Sequence, residues 1–128
     1  MIKVSKQVDY AVQLLRALSK LKEGEFLSLR KFSKESTISF LFLQRIARSL
    51  KAAKIIDASR GIHGGYYFVL DPKKINMKQI VDAVDGNFGI TACLRGQPCE
   101  REKTCTNKDI FHKMNIQVEQ MFLETSII

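Results

Sequence analysis

Three glycines, Gly61, Gly64 and Gly65, stand between Ile55-Ile56-Asp57-Ala58-Ser59-Arg60 and Tyr66-Tyr67-Phe68-Val69-Leu70. Two runs rich in β-branched and aromatic residues, joined by a glycine turn, specify a β-hairpin. The stretch before it has a different period. Val4, Val8, Ala11, Val12, Leu15, Leu18 and Leu21 recur every three or four residues, which makes residues 4–22 one buried helical face. Gly24 stops that helix. A short second helix fits Leu29 to Lys34 with Ser28 as its N-cap. Ser36-Thr37-Ile38 is a tight turn, and Ser39 caps a third helix running to about residue 53. That helix turns Leu43, Ile46 and Leu50 inward. Phe40, Leu41 and Phe42 crowd its start and cannot all be buried.

Helix, short helix, turn, helix and glycine-tipped hairpin is the order of a winged helix-turn-helix. After Asp71-Pro72 closes the hairpin, Ile75, Ile80, Val81 and Val84 restore helical spacing until Gly86. Residues 86–106 have little periodicity and contain every cysteine. Residues 107–127 are helical again, with Ile110, Met114, Val118, Met121 and Phe122 in a stripe flanked by Phe111 and Ile116. A stripe that long after a complete small core favours self-association over folding back onto that core. The expected class is mainly α with a small β-hairpin: a winged helix-turn-helix over residues 1–85, a cysteine loop over 86–106 and a long C-terminal dimerisation helix over 107–128.

Charge sharpens this. The chain has 128 residues and a net charge of +8. Residues 1–60 carry 13 Lys/Arg against 5 Asp/Glu, and residues 61–128 carry 8 against 8. The whole excess lies in the helix-turn-helix half, the footprint of a nucleic-acid binder. In such a motif the N-terminal side chains of the second helix reach base edges in the major groove. Here that helix begins at Ser39. Gln44 matches adenine and Arg45 guanine, while Phe42 suits either the core or a thymine methyl. Arg48, Lys51 and Lys54 lie further along and suit phosphates. Arg60 and His63 flank a turn thin enough for a minor groove. The partner expected is double-stranded DNA carrying a palindromic operator.

Other classes are excluded or disfavoured. No apolar run approaches the roughly 18 residues of a membrane span, and Met1-Ile2-Lys3-Val4-Ser5-Lys6 lacks a signal peptide's apolar core, so no membrane association and a cytoplasmic location are expected. Domains usually run ~100–150 residues, so one domain is expected and most multidomain enzymes are disfavoured. A thiol-redox enzyme lacks its Cys-x-x-Cys pair. A winged helix serving as a protein-interaction module remains a competitor, separable by the salt dependence of duplex binding.

Cys93, Cys99 and Cys105 are odd in number, which disfavours a closed disulfide framework. Clustered thiols in a reducing compartment more often bind metal or sense redox state. Two five-residue gaps are unusual for zinc, whereas soft thiolates also suit iron–sulfur clusters. Three thiols leave one coordination position open. The alternatives are three ordinary thiols, or redox-active thiols that sense by cysteine oxidation without a cluster.

Four segments together resemble a known family, the winged-helix iron–sulfur regulators of the IscR and NsrR kind (the Rrf-two type). They are Asp9-Tyr10-Ala11-Val12, Phe42-Leu43-Gln44-Arg45-Ile46, Arg60-Gly61-x-x-Gly64-Gly65-Tyr66 and Val84-Asp85-Gly86 before the cysteines. The resemblance spans nearly the whole chain. It implies a non-enzymatic transcription regulator, a repressor or dual regulator, answering nitric oxide, oxidants or iron–sulfur status. It implies a homodimer through Ile110, Met114, Val118 and Met121 on crossing C-terminal helices. It also implies a [4Fe–4S] or [2Fe–2S] cluster on Cys93, Cys99 and Cys105. The histidine that IscR-like members carry three residues after the third cysteine is here Lys108, and His112 lies a helical turn further on. The NsrR-like pattern instead has an aspartate at Asp9, which favours [4Fe–4S] with Asp9 donated by the partner subunit.

Overall fold

The computed structural model describes residues 3–128. Five α-helices and one hairpin follow in the order α1 (Lys6–Ser19), α2 (Leu29–Ser36), α3 (Phe40–Ala52), β1 (Ile56–Ser59), β2 (Gly65–Phe68), α4 (Met77–Val84) and α5 (Lys108–Glu124). Short 3-10 turns lie at Pro72–Lys74 and Cys93–Arg95. Three of the helix starts are serine caps: Ser5 Oγ accepts from the Val8 amide, Ser28 Oγ from Lys31 and Ser39 Oγ from Phe42. Each satisfies an amide that the first turn of a helix otherwise leaves open. α4 has a full capping box, in which Asn76 and Gln79 exchange side-chain-to-backbone bonds of 2.9 Å in both directions.

The helical faces meet in one core. Val8, Ala11, Leu14, Leu15 and Leu18 of α1 lie against Leu29 and Phe32 of α2 and Leu43, Ile46, Ala47 and Leu50 of α3. Ile55, Ile56, Ile75 and Ile80 close it. Thr37 adopts a left-handed φ of 64°, the sharp corner between α2 and α3. β1 and β2 pair antiparallel from Ile56↔Phe68 to Ser59↔Gly65, and Leu27 adds a bridge to Tyr66. α2, the turn, α3 and this hairpin make a winged helix-turn-helix.

The ends of elements depart from the sequence pattern. Val69 and Leu70 are exposed beyond β2. Ile75 is buried ahead of α4 rather than inside it. The last helix ends at Glu124, short of the expected residue 127, because backbone pairing takes the tail instead. The Met77 amide donates to the Thr125 carbonyl at 2.9 Å and the Ile127 amide to the Ile75 carbonyl at 3.3 Å. Ile127 is thereby buried in the core. Among the described residues, no helix is long and apolar enough to cross a membrane.

Candidate functional site

α3 divides cleanly by face. Leu43, Ile46, Ala47 and Leu50 are buried, and Leu41, Arg45, Arg48 and Ala52 occupy the opposite, exposed side. With 3.6 residues per turn these positions form one outward stripe. Gln44 and Lys51 sit at its edge, Gln44 half-buried and Lys51 exposed. Lys51 Nζ lies 3.7 Å from Asp57 Oδ1, which holds the end of α3 near β1. Ser39 is exposed at the helix start.

The three crowded apolar residues have distinct places. Phe42 is half-buried, its ring edge-on to Tyr10 at 5.3 Å. Phe40 lies beneath the Arg30 guanidinium, 4.4 Å from the ring centroid, a cation–π contact that ties α2 to α3. Leu41 is the outward one, 71% exposed. The sequence contained the signal for this, since Leu41 precedes Arg45 by four residues and Arg48 by seven, the spacing of one helical face.

The wing carries Arg60 and His63 exposed on either side of Gly61 and Ile62. Gly61 has a φ of 116°, open only to glycine, and its carbonyl accepts from the Gly64 amide at 3.1 Å. At Gly65 a Cβ would collide with the Leu27 backbone, so glycine lets the hairpin lie against that segment. Ile62, at the tip, is 98% exposed and was not marked by the sequence pattern.

The cysteine loop is fastened at its first half. The Phe88 amide donates to Asp82 Oδ1 at 3.0 Å, and the Ile90 amide to Asn115 Oδ1 of α5 at 2.9 Å. Arg95 donates to the Asp85 carbonyl at 3.1 Å. Cys93, Cys99 and Cys105 are free thiols, the first two exposed and the third half-buried. Cys93 Sγ lies 3.1 Å from Thr91 Oγ1. Among the described residues no three Cys, His, Asp or Glu side chains gather closely enough to hold a metal ion. The donor set itself, three soft thiols on one loop, fits an iron–sulfur group by chemistry. Asp9 is exposed in the first turn of α1, where its Oδ1 accepts from Gln13 at 3.3 Å.

On α5, Asn115 is buried, and Phe122 meets Phe88 with ring centroids 5.1 Å apart. Lys78 of α4 bridges to Asp82 at 2.7 Å and to Glu119 at 3.7 Å. Beside this docked edge, Ile110 is 61% and Met121 56% exposed, with Met114 exposed between them and Val118 half-buried.

Residues 4–127 match the family model described as Rrf2, iron-dependent transcriptional regulator. The chain belongs to the Rrf2 family. The Rrf2 chain is 25% identical over 92 residues to the HTH-type transcriptional regulator NsrR of Bacillus subtilis, covering 72% of this chain and 63% of that one. It is 22% identical over 117 residues to the HTH-type transcriptional regulator IscR of Aliivibrio salmonicida, covering 91% and 70%. The structure of CymR, the global cysteine regulator of B. subtilis, superposes with a TM-score of 0.79 at 20% identity, covering 99% of this chain and 94% of that one. The fold is thus that of Rrf2 winged-helix proteins. NsrR and IscR are named as HTH-type transcriptional regulators, in keeping with a non-enzymatic role for this Rrf2 chain.

Proposed function

We propose that this Rrf2 protein is a cytoplasmic repressor that binds a palindromic operator as a homodimer, under the control of an iron–sulfur group held on Cys93, Cys99 and Cys105. The outward stripe of α3 carries the reading: arginines opposite a fully buried face on a basic half-chain. Arg45 and Gln44 contact base edges from the first turns of α3, with Ser39 and Phe42 beside them. Arg48 and Lys51 hold phosphates, and Arg60 and His63 enter the minor groove from the wing. Leu41 joins this surface as an apolar contact for a thymine methyl. Ile110, Met114, Val118 and Met121 meet their counterparts across the two-fold axis. The partner subunit's Asp9 supplies the fourth ligand, and a carboxylate on a soft centre is readily displaced. When bound, the group supplies reactivity toward nitric oxide and oxidants, with [4Fe–4S] the type that the NsrR-like pattern supports.

Duplexes selected from a random library provide the test. Arg45→Ala relaxes sequence preference, whereas Lys51→Ala weakens all duplexes alike and lowers the salt slope by about one. If neither substitution alters operator binding, α3 is not the reading helix. Anaerobically purified protein contains iron and sulfide; stoichiometric zinc without sulfide would remove the cluster.

One observation favours a second reading, sensing by thiol oxidation without a cluster. The three thiols are free and not gathered, and Cys93 has a hydroxyl neighbour in Thr91. Iron-free protein whose operator affinity changes reversibly with oxidant and reductant supports it.

A further inference from the structure

Asp85 is bonded on every side. It is the C-cap of α4, and its amide donates to the Val81 carbonyl at 2.9 Å. Its Oδ2 accepts from the hydroxyl of Ser5, the N-cap of α1, at 2.7 Å. With the Gln7 side-chain amide turned so that its nitrogen faces the acceptors, that nitrogen lies 2.8 Å from Asp85 Oδ1 and 3.0 Å from the Val84 carbonyl. The Asp85 carbonyl accepts from Arg95, the last residue of the 3-10 turn that begins at Cys93. A half-buried carboxylate with both oxygens on α1 and its carbonyl on the cysteine turn is a junction among three elements.

From Gln7 the path to α3 crosses a cleft. Gln7 lines a cleft of about 190 Å³ whose other walls are Phe42, Arg45, Ile46 and Ser49 of α3 and Val84 of α4. Arg95 therefore stands three steps from Arg45: through Asp85, through Gln7 and across the cleft. Hydrogen bonds in which donor or acceptor is charged are stronger and more directional than neutral ones. A cysteine turn that moves Arg95 pulls on the Asp85 carbonyl, and α1 and α4 follow to the extent that the Arg95 side chain does not re-extend.

We infer that Asp85 is the positioning residue that couples the cysteine loop to the DNA-reading helix, with Arg95 as its input and Ser5 and Gln7 as its output. This rests on the reading that the loop controls operator binding. It adds which bonds carry that control, and it assigns a task to the Val84-Asp85-Gly86 motif.

Two substitutions cut the junction on opposite sides. Asp85→Ala removes both bonds to α1 and keeps the carbonyl; Arg95→Ala removes the loop's bond and keeps those to α1. Operator affinity is measured for each protein in two pairs of states: reconstituted with iron and sulfide against iron-free, and diamide-oxidised against reduced. Wild-type protein changes affinity about fivefold or more in at least one pair, the lower end of ordinary allosteric coupling. Both variants shrink that change to within about twofold, and Arg95→Lys, which keeps a donor, restores part of it. A full response in both alanine variants overturns the junction while the sensing reading stands.

If wild-type protein responds in neither pair, the sensing reading fails. The junction then has its own readout, amide exchange in iron-free protein. Arg95→Ala speeds exchange several-fold at Val8 and Asp9 in the first turn of α1, far from the substituted side chain in sequence. Faster exchange confined to residues 86–97 shows that the bond merely tethers the loop, which overturns the proposal.

Discussion

The two halves of the molecule are finished to different degrees. From residue 3 to 85 the apolar faces meet one another and the helix starts have their caps. Among the described residues every buried hydrophobic side chain except Ile127 lies before residue 81. From 86 to 128 the thiols are free, and α5 shows Ile110, Met114 and Met121 to solvent. An apolar stripe in water is a cost unless something covers it. The first half thus buries its helical faces largely within itself, and the second half leaves an apolar stripe and three thiols open, where the proposed function places a second copy and an iron–sulfur group.

The sharpest way to break this comparison is to charge the stripe. Met114→Glu with Met121→Glu leaves the protomer folded but monomeric by analytical ultracentrifugation, and operator affinity falls by about 100-fold or more as the second half-site is lost. Unchanged sedimentation would mean that α5 is complete as it stands. The converse substitution lies in the self-satisfied half. Leu43→Ala empties a fully buried position and lowers unfolding stability by about 2–5 kcal/mol in chemical denaturation.

Much of this division could be read from the sequence because its causes are local. Ser28 and Ser39 announce their helices through hydroxyls that bond amides three residues on. The hairpin followed from glycines between β-forming runs, and the α3 faces from their period. What escaped has non-local causes. Helix α5 stops at Glu124 because Ile75 and Met77, distant in sequence, offer the tail better backbone partners. Asp85 looked like one residue of a motif until Ser5, 80 positions away, was found on its carboxylate. Arg30 gave no hint of its seat over Phe40. The basic stripe was visible, and its apolar member Leu41 shares that spacing, but packing is what tells it apart from Phe40 and Phe42.

Two smaller effects sharpen the boundary between the halves. Asn115→Ala removes the acceptor for the Ile90 amide and costs about 1–3 kcal/mol in thermal unfolding. Asn115→Asp, which keeps an acceptor, costs less. Lys78→Met cuts the ion pair to Glu119 that joins α4 to α5 and the pair to Asp82 within α4, and costs no more than about 0.5 kcal/mol, since both are partly exposed. The Lys78 ammonium is held above the ordinary lysine pKa, chiefly by its hydrogen bond to Asp82, with the charges of Asp82 and Glu119 adding and desolvation opposing. A raised folded pKa means that this stabilisation is complete below the unfolded lysine value and fades as pH climbs through the folded one. Melting curves of wild type and Lys78→Met therefore differ slightly at neutral pH and converge at alkaline pH.

The paired tail gives α5 the mechanics of a lever. Its fastenings, Asn115, Glu119, Phe122 and the strand-like exit at Thr125 and Ile127, all lie from its middle onward. The arm from Asn115 back to Lys108 is about 10 Å long at 1.5 Å per residue. A tilt of about 10° about that fulcrum swings the Lys108 end by roughly 2 Å, nearly half a strand spacing. Cys105 stands three residues before that end, so any displacement of the thiol nearest α5 would act where the arm is longest.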